Sequence, residues 1–538
     1  MPTNKLIVTN LGALKIKYAD GWPRIQAGID KLIAADANRG LTTALIGLDD
    51  DTAMASAGAS PVTNATDPKQ NKNAIDALYN KFAPDYMLIL GAGDIVPHQD
   101  LANPVYSGPE GDPDSLVFSD LPYSCSSGYG TQISDFKNPT RVVGRLPDVD
   151  GVNDPAYLEK LLDTAASYAS VPAANYAKFF GVSAGVWTGS TSVNLQAIFG
   201  TSGGMKTVPP NTYQWPQNEL DSLSHFFNCH GAPSTPQYFG QPSDGSQEYP
   251  VAEDAAYIRS KIKKGTVVAA ECCYGAELYN PNANPQQPKP KGIPNQYLEE
   301  GAFGFFGSTT VAYGPVDTND WADLICQYFF KSLLNGASLG RAALEARQTY
   351  ILNKGHLTGT DLKTLAQYLL LGDPSVTPVK IPAPSAAHLV VKAGAFVAAD
   401  SRQRAEFART LRRRELIQNG LAIAASASTS EKKKKTRVAP KILDLLKSEA
   451  AKLKLSQPQF ASFEVAPAAA MASAKARIFK SGRPKSAAFL EAVPIRTLKA
   501  VHQAIGKVGK ASACSVNLAG FELLEFEDGV TIRNFVSR

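Results

Sequence analysis

The sequence predicts an α/β protein: a three-layer sandwich with a mostly parallel sheet flanked by helices, followed by a small basic α+β region. Three observations predict it. Short apolar runs bounded by turn residues alternate with amphipathic stretches, which is the rhythm of strand–helix–strand units. Two of those runs, His225-Phe226-Phe227-Asn228-Cys229-His230-Gly231 and Val267 to Gly275, end in reactive side chains and a glycine. Buried strands of a parallel sheet read this way, and they deliver chemistry to the crevice beyond their carboxyl ends. The third observation is charge. Residues 381–538 hold 27 Lys and Arg against 12 Asp and Glu, a net of +15, and residues 1–380 carry −10. So sharp a change marks two regions and lets them attract one another.

In chain order, Lys5–Asn10 and Thr42–Leu48 read as strands around an amphipathic helix at Trp22–Ala35. Residues 58–70 form a polar loop, and Lys72–Phe82 is a helix leading into the strand Tyr86–Leu90. Residues 97–140 are loop-rich. Asp154–Ser170 is a helix, and Lys178–Ala184, Gly265–Cys273 and Ala302–Thr310 are strands. Asp320–Leu334 and Ser338–Leu352 are helices, and Asn280–Pro294 is an exposed loop beside the cleft. Beyond Pro384 the chain offers a basic helix at Gln403–Leu416, a small-residue run at Ala422–Ser430 and a like-charged block at 431–437. That block is expected to repel itself and stay solvated. Ile442–Leu455 has helical periodicity, and Gly520–Val536 is a hairpin turning at Glu527-Asp528-Gly529. The expected units are an α/β subdomain at 1–175, a catalytic subdomain at 176–383, a basic linker at 384–441 and a small domain at 442–538.

The two reactive strand ends suggest the chemistry. A thiolate is the nucleophile, and a nearby imidazole helps produce it and then protonates the leaving group. Gly231 lets a backbone N–H approach the reacting carbonyl as an oxyanion donor. A lone His-Gly pair is more often structural; the second strand, ending in Cys, is what singles out His230. Cys229 points to the opposite face of an extended strand and reads as a small buried hydrophobe. Cys272 and Cys273 compete, since consecutive strand residues face opposite ways.

These stretches resemble the caspase-like (clan CD) cysteine peptidases. Val267–Gly275 is similar to the caspase strand ending Gln-Ala-Cys-Arg-Gly. The gingipain-like (C25) branch fits more of the chain. Tyr86–Pro97 resembles its early strand and G-D-x-x-x-P turn, and Ser119–Tyr123 its S-D-x-x-Y segment. Arg141–Pro147 resembles its GR-hydrophobic-P segment, Phe303–Thr310 the strand after the nucleophile, and Gly372–Ser375 its G-D-P-S end. The resemblance implies a caspase/gingipain-like fold and a cysteine endopeptidase acting on protein or peptide substrates. Alignment on the caspase pattern selects Cys273 and alignment on the gingipain glycine selects Cys272; Cys273 is preferred, because Glu271 is not the small residue expected before the nucleophile. Thr309, Thr310, Val311 and Tyr313 fall where the family builds its S1 wall. The family's His-orienting acid has no counterpart in Ser183–Trp187, which leaves a Cys–His dyad with backbone carbonyls to orient the ring, and arginine preference is not implied.

Other classes fit less well. No CxxC or HExxH occurs, so no zinc is assigned. Cofactors are not expected; calcium at the loops holding Asp94, Asp112 and Asp114 is weighed below plain solvated carboxylates. Gly91-Ala92-Gly93 lacks the third glycine of a dinucleotide fingerprint, and Gly200–Gly204 matches GxSxG after a helix rather than a strand. The basic region carries no nucleic-acid motif, so nucleic acid is not an expected partner. Without a signal-like start, a membrane span or a disulfide pattern among six cysteines, the expected location is the cytoplasm. Residues 402–441 are a candidate self-cleavage site. The alternative function is an inactive caspase-like scaffold that binds a regulatory partner through its basic C-terminal region.

Overall fold

Ten strands make the central sheet: β1 (Lys5–Thr9), β2 (Thr43–Gly47), β3 (Tyr86–Leu90), β4 (Val143–Leu146), β5 (Phe179–Ala184), β6 (Lys206–Val208), β7 (Ser224–Asn228), β8 (Val267–Ala270), β9 (Gly304–Ser308) and β10 (Tyr368–Leu371). Their order is β2-β1-β3-β4-β10-β9-β8-β7-β5-β6. Every neighbouring pair is parallel except β9 and β10. This computed structural model describes residues 3–108, 111–354, 356–381, 434–435, 440–452, 455–464, 498–507, 518–526 and 529–537.

Alternating side chains divide the interior into two layers. Phe227, Val268 and Ala270 join one core with Ile29 and Leu32 of the helix Trp22–Asn38 and Leu158 and Leu162 of the helix Pro155–Ala166. Phe226, Val267 and Ala269 join the other, with Leu195 of the helix Thr188–Phe199 and Ile325 and Phe329 of the helix Trp321–Leu334. Strands buried on both faces have no polar positions to alternate, which is why β3 and β8 read as unbroken apolar runs. Each such side chain taken from water stabilises the fold by about 1.5–3 kcal/mol. The three-layer α/β expectation holds.

Several local expectations are corrected. A helix at Leu11–Tyr18 follows β1 directly; its first amides, Leu11 and Gly12, donate to the Asp49 carboxylate (2.9 and 2.6 Å), so its cap comes from a distant residue and not from Asn10. The loop-rich segment after Pro97 contains the short hairpin Gln99–Ala102 with Leu116–Ser119. The helix Ile293–Glu299 begins inside the expected loop, whose residues 282–290 are exposed. A capped helix, Gly359–Gln367, runs straight into β10, which is antiparallel to β9 and parallel to β4, so the direction of the sheet reverses between these two central strands, β9 and β10. In the C-terminal region, the helix Pro440–Lys452 accompanies an antiparallel meander of Ser456–Glu464, Leu498–Lys507, Leu518–Phe526 and Gly529–Ser537. The hairpin is therefore half of a larger sheet. Lys434–Lys435 of the charged block forms a two-residue edge strand on that meander. The candidate helix 403–416, the run 422–430 and most of the self-cleavage segment 402–441 lie outside the described residues. Among the described residues, no helix is long and apolar enough to cross a membrane.

The Gly-Asp-Pro-Ser stretch closes the sheet electrostatically. Asp373, just past β10, and Asp36, in the helix Trp22–Asn38, both bind the buried ammonium of Lys5 at the start of β1. Ser375 donates its N–H (2.9 Å) and hydroxyl (2.7 Å) to the other Asp373 oxygen. Removing one member of a buried pair leaves an uncompensated charge, at a cost of about 3–5 kcal/mol. Lys5→Met, which leaves Asp36 and Asp373 buried without their shared cation, is therefore expected to lower stability by about that amount in urea unfolding, whereas exposed Asp163→Ala, which breaks a surface pair with Lys31, should cost under about 1 kcal/mol. Equal effects would show that Lys5 is not held in this way.

Candidate active site

The pairing of β7 with β8 sets the site. Ser224 faces Val267 and Phe227 faces Ala270, and the amide of Glu271 continues the ladder to the Phe227 carbonyl at 2.8 Å. The same offset carried onward sets His230 level with Cys273. Past the strand ends the two chains remain in contact. A Cβ built on Gly231 would lie 1.8 Å from the Cys273 carbonyl oxygen and 3.5 Å from the Cys272 Cβ, so only glycine fits there. The His-Gly and Cys-Cys motifs are thus brought together.

Side-chain direction separates the two cysteines. Cys272, like Cys229, sits in the core under the Trp22–Asn38 and Pro155–Ala166 layer and is 0 % exposed. Cys273 joins a small cluster of Val105, Val311, Tyr313 and Trp321 on the other side and is 3 % exposed. Its Sγ lies 3.3 Å from the Ala312 amide nitrogen and 3.6 Å from the Ala312 carbonyl oxygen. Glu271 points to the same layer, accepting from Asn194 of the helix Thr188–Phe199. His230 does so too, against Trp187 at the start of that helix. Tyr274, immediately after Cys273, has φ +53°, a left-handed turn that is strained for a bulky residue and ends the strand abruptly. Its N–H donates to the Thr310 carbonyl (3.0 Å) and its hydroxyl to Asp114 (2.8 Å).

The His230 ring is fixed by groups that carried no sequence signal. Trp187 lies 4.4 Å away between ring centroids, and Tyr249 meets the ring edge-on at 5.2 Å. His230 Nε2 is 2.8 Å from Gln241 Oε1. The Gln241 amide nitrogen faces the carbonyls of Gly245 (3.3 Å) and Ser246 (3.2 Å), so its oxygen is the end turned to the ring. An acceptor there makes Nε2 the protonated nitrogen and leaves Nδ1 the base. A side-chain amide thus holds Nε2, a partner that the sequence did not point to. A Cβ on Gly185 would lie 2.6 Å from the Gln241 carbonyl oxygen, so the Gln241 loop fills the room a side chain would need there. Gln241 lies in a Gly-Gln-Pro turn that resembles no catalytic motif.

The four wall residues divide. Val311 and Tyr313 pack with Cys273. The Thr309 hydroxyl donates to the Phe118 carbonyl (2.7 Å) and the Thr310 hydroxyl to Gln367 Oε1 (2.7 Å). The acidic loops meet lysines: Asp94 pairs with Lys17 at 2.7 Å, and Lys363 bridges Asp112 (2.5 Å) and Asp114 (3.3 Å). Asp114 also accepts from the Val311 amide and Asp112 from the Tyr313 hydroxyl, so this cluster braces the wall from behind. Among the described residues, no group of His, Cys, Asp or Glu suits a metal ion.

Just beyond Gly231, the Ser234 amide donates to Glu277, and Lys289 of the exposed loop binds the Ser234 carbonyl at 2.7 Å. Burial pushes the Glu277 carboxyl up from 4.5 to about 7. The folded state then holds a proton that the unfolded chain releases, so this group's stabilising share is full below pH 4.5 and is lost as pH rises through 7. Glu277→Gln is expected to flatten the fall in urea midpoint across that window; an unchanged slope would contradict it.

The family model described as Peptidase family C25 matches residues 6–379. No curated protein is significantly similar. Among solved structures, one described as "Structure of Protease" is 12% identical with a TM-score of 0.43, over 100% of this chain and 98% of its own. The separase of a Saccharomyces cerevisiae separase–securin complex is 12% identical with a TM-score of 0.27, over 44% of this chain and 14% of its own.

Proposed function

The chain belongs to peptidase family C25, and from that premise we propose that it is a cysteine endopeptidase with Cys273 as nucleophile and His230 as its proton partner. The observation that carries this reading is the register: the offset that pairs Phe227 with Ala270, carried past the strand ends, puts His230 level with Cys273, where the Gly231 backbone meets the Cys273 carbonyl. The facing of Cys272 into the opposite core supports the choice between the cysteines.

In this mechanism His230 Nδ1 takes the Cys273 thiol proton, and the thiolate attacks the scissile carbonyl carbon to form a C–S bond. Amides at the close approach, Gly231 and Cys273 itself, stabilise the oxyanion. The imidazolium returns the proton to the amine nitrogen as the C–N bond breaks. Water activated by the same imidazole then hydrolyses the thioester. Gln241 is a positioning residue that holds Nε2–H and so makes Nδ1 the basic nitrogen for these transfers. Val311 and Tyr313 line the pocket for the residue preceding the scissile bond, and the Lys363–Asp112–Asp114 cluster keeps that wall in place. The segment 402–441, rich in Lys and Arg, remains the proposed site of self-processing, and a cytoplasmic location accompanies this reading.

The test is the site of covalent labelling by peptidyl acyloxymethyl ketones varied at P1, mapped by mass spectrometry. The adduct is expected on Cys273. It should vanish in Cys273→Ala, fall by a factor of about 10³ or more in His230→Ala, and persist in Cys272→Ala. An adduct on Cys272 would overturn the register argument. No adduct on folded, reduced protein under any activating treatment would favour the inactive scaffold.

A further inference from the structure

The edge beside the nucleophile is already occupied. Tyr313–Gly314 forms a two-residue strand at the end of the C-terminal sheet, in the order Tyr313–Gly314, Gly529–Ser537, Leu518–Phe526, Leu498–Lys507, Ser456–Glu464, Lys434–Lys435. The pairing is antiparallel, with Gly314 facing Val536 and Tyr313 facing Ser537. Stepping from Gly314 to Tyr313 leads to Ala312, whose backbone flanks the Cys273 thiol on both its amide and its carbonyl. On the partner strand the same step runs from Val536 to Ser537, so the terminal strand advances along the edge with its carboxyl end directed at Cys273.

We infer that Tyr313–Gly314 is the peptide-binding edge of the site and that this chain's own C-terminal strand, Gly529–Ser537, fills it as a built-in competitor; the inference rests on the peptidase reading. An exposed strand edge accepts an extended peptide through main-chain hydrogen bonds that do not depend on sequence. A thiol at the end of that edge meets a carbonyl only if the peptide runs with its carboxyl side toward the thiol. The terminal strand has this polarity, which is that of the acyl half of a substrate. It takes the place of substrate without presenting a bond that must be cut.

Three further observations agree with a closed site. Cys273 and His230 are each 3 % exposed, too little for a peptide to reach either without displacement of a covering segment. The C-terminal unit has a small core of its own, with Leu446 and Ala450 of its helix packed against Leu455 and Phe460, so it can move as a body. The +15 charge of residues 381–538 against −10 for residues 1–380 favours its docking. Among the described residues the strand pairing at this edge comprises two residue pairs, and displacing it exposes an edge ready for substrate.

Removing residues 536–538 from the otherwise full chain takes away both residues that pair with Tyr313 and Gly314. Amide exchange at Tyr313 and Gly314 should quicken, and alkylation of Cys273 by iodoacetamide should rise by about tenfold or more, as expected when a covered group gains an open population. Peptidyl ketone labelling should rise in step. Faster exchange at Tyr313 and Gly314 with no gain for either reagent would overturn the inference. A gain for iodoacetamide alone would uphold the covering strand and remove the peptidase reading. Should the variant fail to fold, the unmodified chain in graded urea gives the same answer. Cys273 alkylation should accelerate at urea that releases the amides of 498–507 and 529–537 while β7 stays protected. Acceleration only when β7 opens would contradict the inference.

Discussion

Everything at the site depends on the parallel register of β7 and β8. A parallel ladder fixes which residues leave two neighbouring strands at the same height, and the alternation of side chains fixes which face each takes. Shifting β8 by one residue would place Cys272 level with His230 but turn Glu271 and Cys273 toward the opposite layer. The Gly231 contact with the Cys273 carbonyl holds this arrangement beyond the last ladder bond, because any larger residue would drive the two ends apart. One backbone constraint thus sets which of two adjacent cysteines stands level with His230.

Around that constraint the protein places side chains whose role is to hold, not to react. Gln241 fixes one nitrogen of His230 while its own amide group is bound by two carbonyls. Lys363, fully buried, bridges Asp112 and Asp114, which in turn hold the Tyr313 hydroxyl and the Val311 amide. Buried charges of this kind are costly unless fully partnered, and here each carboxylate has more than one partner. The wall beside Cys273 is therefore braced electrostatically from the side away from the cleft. The front of the same wall is a main-chain edge, and backbone pairing with the terminal strand covers it. Rigidity behind and reversible pairing in front suit a site that is preformed and closed.

Much of this was legible in the sequence because it depends on local pattern. β3, β7 and β8 announce themselves as apolar runs, and His230-Gly231 and Cys272-Cys273 stand at their ends. The order of short motifs from Tyr86 to Ser375 pointed to the family whose model matches residues 6–379. What escaped depends on distance. Gln241 meets His230 only through the folding of a Gly-Gln-Pro turn, and nothing in that tripeptide marks a partner for imidazole. Asp112 and Asp114 looked like a solvated acidic loop because Lys363 stands some 250 positions later. The helix Leu11–Tyr18 lacked a strong apolar stripe, and its first amides are capped by Asp49, far along the chain. The C-terminal hairpin was readable as a hairpin, but its pairing with Tyr313–Gly314 is a tertiary fact with no local signature.

The most direct test of the central claim is a crystal structure of the full chain trapped with a peptidyl acyloxymethyl ketone. The expected result is a thioether on Cys273 Sγ, His230 Nδ1 turned toward it with Nε2 on Gln241, and the peptide antiparallel along Tyr313–Gly314 in place of the terminal strand. A thioether on Cys272, or a peptide bound elsewhere while the terminal strand stays paired with Tyr313–Gly314, would contradict it.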